Sequence, residues 1–346
     1  MSKRALVIGG GLSGIKAALN LGQIGIETII VERAEKLGGT FKKLGSTFPD
    51  GVDARTYLKK YLQTLKSLQN VKIFTKTQMK SVTKVEDGFE VILEPNGTSF
   101  KVEAIVVAIG YAPFDGSRIP NYGQGKIQNV IDSLELVQML RNGQNLKRPS
   151  DETLPKSVTF ITCVGSRDKK TNEYCSSFCC TYTVHLAKMV KEIDKKIDVT
   201  IMYMDMRTFS SYESLYQEAR ELGVKFLRGK PSMVFEELDT HNVKIQVENT
   251  ITQEFVLHET DIAVLSIGAE PTEGSDELGK ILGITKDEKT GFFAVSREDD
   301  VSALGQERIF IAGNASGPKD TQYSLAQASA AAMKAFIALG GVNSLK

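Results

Sequence analysis

The sequence predicts an α/β fold with two Rossmann-like domains, the second inserted into the first. Three observations predict it: a glycine-rich turn between a strand and a helix near the N-terminus, a second strand–helix–strand unit in mid-chain, and two similar strand segments that flank this unit. A chain of 346 residues is also longer than one core usually fills. The first domain is predicted over 1–114 and 271–346, and the inserted domain over 115–270.

The first element is a short apolar strand, Ala5–Ile8, followed by a G-x-G-x-x-G turn and a predicted helix over 15–22. In such a turn Gly9 allows the sharp reversal, Gly11 lets the backbone approach a pyrophosphate, and Gly14 lets helix and strand pack closely. The first free N–H groups of the helix then point at the phosphates. This order of elements predicts a dinucleotide site; the alternative is a purely structural glycine turn.

A second strand, Thr28–Val31, ends at Glu32, whose carboxylate can bind ribose hydroxyls. Gly38 and Gly39, followed by Thr40, complete an E-x5-G-G spacing from this acid. The spacing resembles the FAD pattern of two-dinucleotide-binding-domain flavoproteins, the thioredoxin and glutathione reductase-like class. That resemblance implies FAD as the dinucleotide of the first domain.

Two later segments resemble each other, Glu103–Gly110 and Asp261–Gly268, each an acid followed by an apolar run and a glycine. Pro113 and Pro271 lie just beyond them, where proline suits a turn. In the same flavoprotein class such strands end where the chain crosses between the two domains. The alternative is a pair of unrelated buried strands.

The segment Arg308–Asn314 resembles the last FAD motif, in which a strand ends in Gly-Asp. Here Asn314 replaces the aspartate, although an amide can also hydrogen-bond a ribityl hydroxyl. An alanine-rich helix is predicted over 324–339, and its N-terminus can stabilise charge on a reduced flavin. The residues that we predict to bind the cofactor lie in these motifs and beside them: Gly9, Gly11, Leu12, Ser13, Gly14, Glu32, Arg33, Gly38, Gly39, Thr40, Ala108, Ile109, Gly110, Gly313, Asn314, Lys319, Asp320 and Thr321.

The inserted domain is predicted to begin with a strand over 157–162, a helix over 181–195 and a second strand over 199–203. An NADPH-dependent relative would have another glycine fingerprint between the first strand and the helix. That turn contains Cys163-Val-Gly-Ser-Arg167 instead. We therefore expect no NAD(P) site in this domain.

All four cysteines of the sequence lie within this turn and the following loop, as Cys163, Cys175, Cys179 and Cys180. Four thiolates saturate one iron–sulfur cluster or one zinc ion, and a helix N-terminus beside them suits an anionic group. The C-x11-C-x3-C-C spacing does not have the short pairs typical of zinc, which favours an iron–sulfur cluster. Zinc, thiol or disulfide chemistry and inert cysteines remain as alternatives.

Three motifs, Phe160–Arg167, Tyr174–Cys180 and Gly317–Asp320, resemble the A-type chain of heterodisulfide reductase. The resemblance covers nearly the whole chain. It implies FAD and one 4Fe-4S cluster with these four cysteines as ligands, electron exchange between flavin and cluster, and B- and C-type iron–sulfur partner subunits. It also suggests a homodimer.

The A-type chain of methanogen heterodisulfide reductase is longer than this chain and has further cluster-binding cysteine runs. It also has cysteines soon after the position that corresponds to Phe48-Pro49 here. The segment Asp50–Tyr57 has no cysteine here. A short, single-cluster form resembles the A-type chain of the heterodisulfide reductase-like complex of sulfur-oxidising prokaryotes. That resemblance implies a role in oxidising lipoate-bound sulfur.

Composition excludes some other classes. With 43 basic and 42 acidic residues the formal charge is +1, so we expect no nucleic-acid binding. No apolar run approaches the length of a membrane span, and no signal peptide is evident, so we expect a cytoplasmic protein without membrane contact.

Two other functions stay open: an NAD(P)H-dependent disulfide reductase of thioredoxin-reductase type, and a non-catalytic assembly scaffold. No catalytic acid or base is predicted, because redox chemistry at a flavin is the cofactor's own. Arg167 and Lys319 are predicted to tune potentials by charge. His185 is expected to be a surface or packing residue, since four cysteines complete a ligand set.

Overall fold

A computed structural model describes residues 3–47, 51–141, 146–295, 302, 304 and 306–341. It divides into two compact units. One contains Met1–Lys43, Asp53–Ala112 and Glu270–Lys346, and the other contains Leu44–Val52 and Pro113–Ala269. Phe48 and Pro49 lie outside the described residues.

The first unit begins with strand, helix and strand, as the glycine motif predicts. Helix and strand bounds up to the crossing into the second unit are β1 Arg4–Ile8, α1 Leu12–Gln23, β2 Glu27–Glu32, α2 Ala54–Ser67, β3 Val71–Thr75, β4 Gln78–Val85, β5 Gly88–Glu94, β6 Ser99–Val102, β7 Ala104–Val107 and β8 Tyr111–Pro113.

The second unit repeats the alternation of strand and helix and adds an antiparallel meander. Its elements, up to the return crossing, are β9 Val130–Asp132, α3 Ser133–Arg141, β10 Ser157–Val164, α4 Cys179–Ile193, β11 Asp198–Tyr203, α5 Glu213–Glu221, β12 Lys225–Arg228, β13 Pro231–Glu236, β14 Val243–Asn249, β15 Glu254–Thr260, β16 Ile262–Ile267 and β17 Ala269–Pro271.

The chain then returns to the first unit with α6 Ser275–Leu282, β18 Ile309–Ile311 and α7 Thr321–Ala338. This unit has a parallel sheet in the order β18-β7-β1-β2-β3 and a three-stranded antiparallel sheet, β4-β5-β6. Aliphatic side chains of β1, β2 and β7 form its core with residues from the antiparallel sheet. Because these parallel strands are covered on both faces, most positions in them are apolar and the sequence shows no alternation of apolar and polar residues.

The second unit has a parallel sheet in the order β12-β11-β10-β16-β9 and a separate antiparallel sheet, β13-β14-β15. One core packs this parallel sheet against α4 and α5, and a second core joins it to the meander. The α/β fold with parallel Rossmann-like sheets is the predicted one.

The two similar segments of the sequence occupy equivalent places in the two units. In the first unit β7 pairs in parallel with β1, and the Glu103 carboxylate accepts a hydrogen bond from the backbone N–H of Arg4. In the second unit β16 pairs in parallel with β10, and Asp261 accepts from the N–H groups of Lys156 and Ser157. Each acid therefore satisfies backbone donors at the start of the neighbouring strand, which explains why the motif occurs twice.

Among the helices within the described ranges, none combines the length and the apolar content needed to cross a membrane.

Candidate functional site

The turn between β1 and α1 has a backbone approach that only glycine permits. Gly9 has a φ of +106°, and a Cβ on Gly14 would lie 1.9 Å from the carbonyl oxygen of Gly9. The outer side of the turn is open, since the nearest atom to a Cβ on Gly11 would be Gly39 Cα at 4.0 Å. The turn is thus tightly closed against the strand and accessible where a pyrophosphate would approach the N-terminus of α1, whose first residues are Leu12 and Ser13.

Glu32 ties this turn to the end of β2. Its two carboxylate oxygens accept hydrogen bonds from the backbone N–H groups of Gly10 and Ala34, both at 2.7 Å. A carboxylate has about four acceptor positions, so capacity remains for ribose hydroxyls. Arg33 extends elsewhere within the same unit and donates to the Glu273 carbonyl and the Thr272 hydroxyl.

The second glycine pair lies beside the first turn. The N–H of Gly38 donates to the carbonyl of Gly10 at 2.7 Å, and a 3-10 turn over Gly39–Lys43 contains Thr40. Ala108 follows β7 and donates its N–H to the carbonyl of Ile8 at 2.8 Å. The segments that carry Gly11, Gly38 and Ala108 are therefore brought together around the end of β1; Ile109 and Gly110 continue from Ala108.

The C-terminal motif completes the same region. A Cβ on Gly313 would lie 2.1 Å from the hydroxyl oxygen of Ser13, so the loop after β18 packs directly against the start of α1. The Asn314 side chain accepts a hydrogen bond from the N–H of Lys319 at 2.7 Å and donates to the Ser324 hydroxyl at 3.2 Å. Asp320 caps α7, which begins at Thr321. Asn314 thus holds the loop to the first turn of the helix.

Lys319 has an environment unusual for a lysine. Its ammonium group donates to the Gly317 carbonyl at 2.8 Å and to the Ser316 hydroxyl at 3.0 Å, two uncharged acceptors. Burial lowers the pKa of Lys319 from 10.5 to about 8, because removal from water penalises the charged form. A bound group with negative charge in this loop would reduce that penalty.

In the second unit, the cysteines lie where β10 ends and α4 begins. Cys163 is the next-to-last residue of β10, and α4 starts at Cys179, two residues earlier than the sequence predicted, so Cys179 and Cys180 are its first residues. These three thiols are buried, whereas Cys175 is partly exposed. Because Phe178 precedes the helix and has no polar side chain, it cannot cap the first N–H groups.

The three buried thiols lie close enough to shift one another's pKa values. The hydrogen bond from Cys179 lowers the pKa of Cys163 to about 6, and a second bond from Cys179 lowers the pKa of Cys180. The pKa of Cys179 is raised, first by its hydrogen bond with Cys163 and then by that with Cys180. The lowered pKa values of Cys163 and Cys180 favour their thiolate forms, and metals bind the thiolate form.

Arg167 adds positive charge beside the thiols. Its guanidinium interacts with the charges of Cys163 and Cys175 and lies 2.6 Å from a carboxylate oxygen of Asp205. The loop is also strained, because the non-glycine residues Cys163, Arg167 and Ser177 have φ values of +60°, +56° and +58°. Such values are costly and cluster at functional sites.

The donor set fits an iron–sulfur cluster in its chemistry. In the described part of the chain, no three His, Cys, Asp or Glu side chains are arranged around one metal-ion position. A four-iron cluster distributes its ligands over four iron atoms, so its thiolates need not converge on one point. The Ser166 hydroxyl, three residues after Cys163, is fully buried and has no hydrogen-bond partner among the described residues, so it could donate to an acceptor such as sulfide.

Sequence reasoning missed Asp205, Arg207 and Arg228, which lie at the ends of β11 and β12 beside the turn after β10. The signal was present, because side chains that follow adjacent parallel strands meet at one edge of the sheet. His185 donates to or accepts from the Ser46 hydroxyl at 2.6 Å, and burial lowers its pKa to about 4.

The chain is similar to a family of oxidoreductases and to A-type chains of heterodisulfide reductase. Residues 1–118 match the family described as pyridine nucleotide-disulphide oxidoreductase. The chain is 31% identical to the second A-type iron-sulfur chain of the CoB–CoM heterodisulfide reductase of Methanopyrus kandleri, over 98% of this chain and 65% of that protein. It is also 31% identical to the A-type iron-sulfur chain of the same reductase in Methanocaldococcus jannaschii, over 96% of this chain and 64% of that protein. The chain therefore spans slightly less than two thirds of these relatives.

The solved structures with the same fold include thioredoxin reductases. The enzyme of T. acidophilum matches with a TM-score of 0.66 at 15% identity, over 97% of this chain and 96% of that one. The Lactococcus lactis enzyme has a TM-score of 0.66 at 16% identity, over 98% and 99%. At these identities the likeness shows the fold.

Proposed function

We propose that this chain is a flavin-dependent electron-transfer subunit with FAD and one 4Fe-4S cluster, because it is similar to the A-type chain of heterodisulfide reductase over most of its own length. One observation supports the proposal above all. The segment from the end of β10 to the start of α4, where a second dinucleotide would bind, instead contains the four cysteines, three of them buried. When bound, the two groups would supply one- and two-electron redox chemistry.

The residues of the first unit would bind and orient FAD. The open side of the turn at Gly11 and the N-terminus of α1 suit the pyrophosphate, and Glu32 suits the adenosine ribose. The loop held by Asn314 presents the ammonium group of Lys319, which suits an electron-rich part of the cofactor. FAD agrees with the family match of residues 1–118.

Cys163, Cys175, Cys179 and Cys180 would ligate the cluster. Arg167 and the first N–H groups of α4 place positive charge beside it, which stabilises an anionic group. The two methanogen relatives are named iron-sulfur subunits, which agrees with this proposal. The residues therefore bind, orient and electrostatically stabilise the two groups, and none is assigned a proton-transfer role.

The finer proposal concerns pathway and partners. The sequence has only the four cysteines of one cluster, which resembles the short A-type chain of the heterodisulfide reductase-like complex in cytoplasmic oxidation of lipoate-bound sulfur. We propose B- and C-type iron–sulfur subunits as partners, and a homodimer. Co-purification from native extract, with identification of the captured subunits, tests the complex; light scattering tests the dimer.

The cluster is tested by anaerobic purification. We expect flavin together with about four irons and four sulfides per chain. Cys179→Ala should remove the iron and the broad visible absorption while FAD remains, because the flavin residues lie in the other unit. Ser177→Gly is the matched control, since it changes the same loop and relieves a positive φ without removing a thiol.

Three results would contradict the proposal. Zinc without acid-labile sulfide would exclude the cluster. Rapid stoichiometric reduction of the flavin by NADPH would favour the NAD(P)H-dependent disulfide reductase, a function that the thioredoxin reductase fold also supports. A flavin and cluster that no physiological donor reduces would favour an assembly scaffold.

A further inference from the structure

Three arginines surround one carboxylate at the carboxyl edge of the parallel sheet in the second unit. Arg167 follows β10, Arg207 follows β11, and Arg228 ends β12. Their guanidinium nitrogens lie 2.6, 3.9 and 3.6 Å from the carboxylate oxygens of Asp205. Because arginine stays charged at all physiological pH values, these four side chains alone sum to a charge of +2. The whole chain has a formal charge of only +1, so this excess is a local feature.

The positive charge is accessible and adjoins the cysteines. The side chains of Arg207 and Arg228 are 45% and 50% exposed. The Cys180 thiol donates to the backbone carbonyl of Asp205 at 3.6 Å, and the Asp205 carboxylate lies 2.6 Å from the guanidinium of Arg167. Arg207 and Arg228 are therefore exposed side chains in the region of the second unit that also contains the buried thiols.

An apolar side chain lies next to this charge. Phe209, two residues after Arg207, is 61% exposed. Arginine and aromatic side chains are enriched in protein interfaces, where arginine pairs with carboxylates and the aromatic ring supplies buried apolar area. We call Arg167, Arg207, Phe209 and Arg228 the arginine patch.

A protein fits the patch better than a nucleotide does. Nucleotides at this sheet edge need a glycine-rich turn that lets the pyrophosphate approach the backbone. In this unit Cys163 lies at the end of β10 and Arg167 lies in the turn that follows, in place of a glycine-rich turn. An exposed phenylalanine beside guanidinium groups instead matches a partner surface with carboxylates around a small apolar area.

We propose that the arginine patch docks an acidic electron-carrier protein, with the carrier's redox centre facing the cysteine cluster. The proposal rests on the proposed function, which makes the cysteines a redox centre. Complementary charge would orient the carrier and raise its association rate, and the net reaction is transfer of one electron between carrier and cluster without bond formation.

The test is equilibrium binding of an acidic 2Fe-2S ferredoxin to the full chain with its native cofactors, by calorimetry. We expect binding that weakens between about 0.01 M and about 0.15 M ionic strength, since screening shortens the Debye length from about 30 Å to about 8 Å. The double variant Arg207→Gln/Arg228→Gln should bind about 3- to 10-fold more weakly. The double variant Lys59→Gln/Lys60→Gln removes the same charge from exposed positions on α2 of the other unit and should bind like the original protein.

Equal affinity in the two double variants would overturn the proposal, as would the absence of ferredoxin binding at low ionic strength. Equally tight binding of a basic cytochrome c would overturn it too, because charge would then not select the partner. Stoichiometric NADPH binding that displaces ferredoxin and is lost in the arginine variant would assign the patch to a small phosphate ligand instead. Iron, sulfide and flavin are measured on the same samples, so loss of the cluster is distinguished from loss of docking.

Discussion

Lys319 offers a direct test of the electrostatics of the loop that precedes α7. Its ammonium group is removed from water and bonded only to the Ser316 hydroxyl and the Gly317 carbonyl in the structure described. The perturbation is Lys319→Met, which keeps a similar length and apolar stem but removes the charge. We expect this variant to be more stable than the original protein at neutral pH.

The magnitude follows from the pKa. Lowering a lysine pKa from 10.5 to about 8 corresponds to a cost of about 3 kcal/mol for keeping the group charged in the folded protein. Methionine removes this cost but loses two hydrogen bonds, each contributing about 1 kcal/mol. The net gain in unfolding free energy at pH 7 should therefore be about 1–2 kcal/mol.

The pH dependence has a definite sign. Between pH 8 and pH 10.5 the unfolded chain still binds the proton that the folded protein has released, so the stability of the original protein rises with pH through this window. The cost is complete below pH 8 and absent above pH 10.5. The advantage of Lys319→Met should consequently disappear by pH 10.5.

The assay is urea unfolding at pH 7 and pH 10, with Lys59→Met on the exposed side of α2 as control. The difference in unfolding free energy between Lys319→Met and the original protein cancels the contributions of the other groups that titrate at high pH. A destabilised Lys319→Met at pH 7, or an advantage of the same size at both pH values, would refute the buried charge as the cause. A smaller advantage with saturating FAD would show that the bound cofactor offsets the charge.

Three further predictions concern packing and burial. Gly14→Ala should abolish FAD retention, measured as flavin absorbance after desalting, because its Cβ would lie 1.9 Å from the carbonyl oxygen of Gly9. Gly165→Ala should lower the unfolding free energy by about 1–3 kcal/mol in chemical denaturation, since the position has a φ of +75° and its Cβ would lie 2.1 Å from the Phe114 ring. His185→Gln should reduce the loss of stability between pH 6.5 and pH 4: in this window the unfolded chain binds a proton that the buried imidazole does not, so stability falls as pH falls, and thermal unfolding at pH 7 and pH 4.5 measures it.

Each of these has a control or a contrary outcome. Gly11→Ala should fold normally, since its Cβ would meet no atom closer than 4.0 Å, so its flavin content reports the approach of the pyrophosphate alone. Normal flavin retention in Gly14→Ala would contradict the tight turn. An unchanged midpoint for Gly165→Ala would mean that Phe114 moves away without cost. Identical pH profiles for His185→Gln and the original protein would exclude the histidine as the titrating group.

Much of the first unit could be predicted because its signals are local. The turn from Gly9 to Gly14 specifies its own conformation, and the acid at Glu32 follows the next strand at a fixed distance. Hydrophobic runs located β1, β2 and β10 to within two residues. Helix α4 was placed two residues late, because Cys179 and Cys180 are not strong helix formers and were assigned to the loop.

The side chains around the sites could not be predicted in the same way. Arg33 follows Glu32 directly and stays a predicted cofactor residue; its guanidinium is bonded to Thr272 and Glu273, about 240 positions away. Nothing in the local sequence indicates which distant loop will lie within reach of a long side chain. The proximity of Cys163 to Cys179 and Cys180 likewise depends on how the end of β10 meets the start of α4.

The sequence by itself determined the α/β class, the dinucleotide turn and the grouping of four cysteines within eighteen residues, because each depends on neighbours along the chain. Only the tertiary structure decided what surrounds those cysteines. Arg167, Asp205 and Arg228 belong to three separate strands and the loops that follow them, and they meet because β10, β11 and β12 are adjacent and parallel. Strand order and register depend on packing across the whole sheet, which no local pattern records.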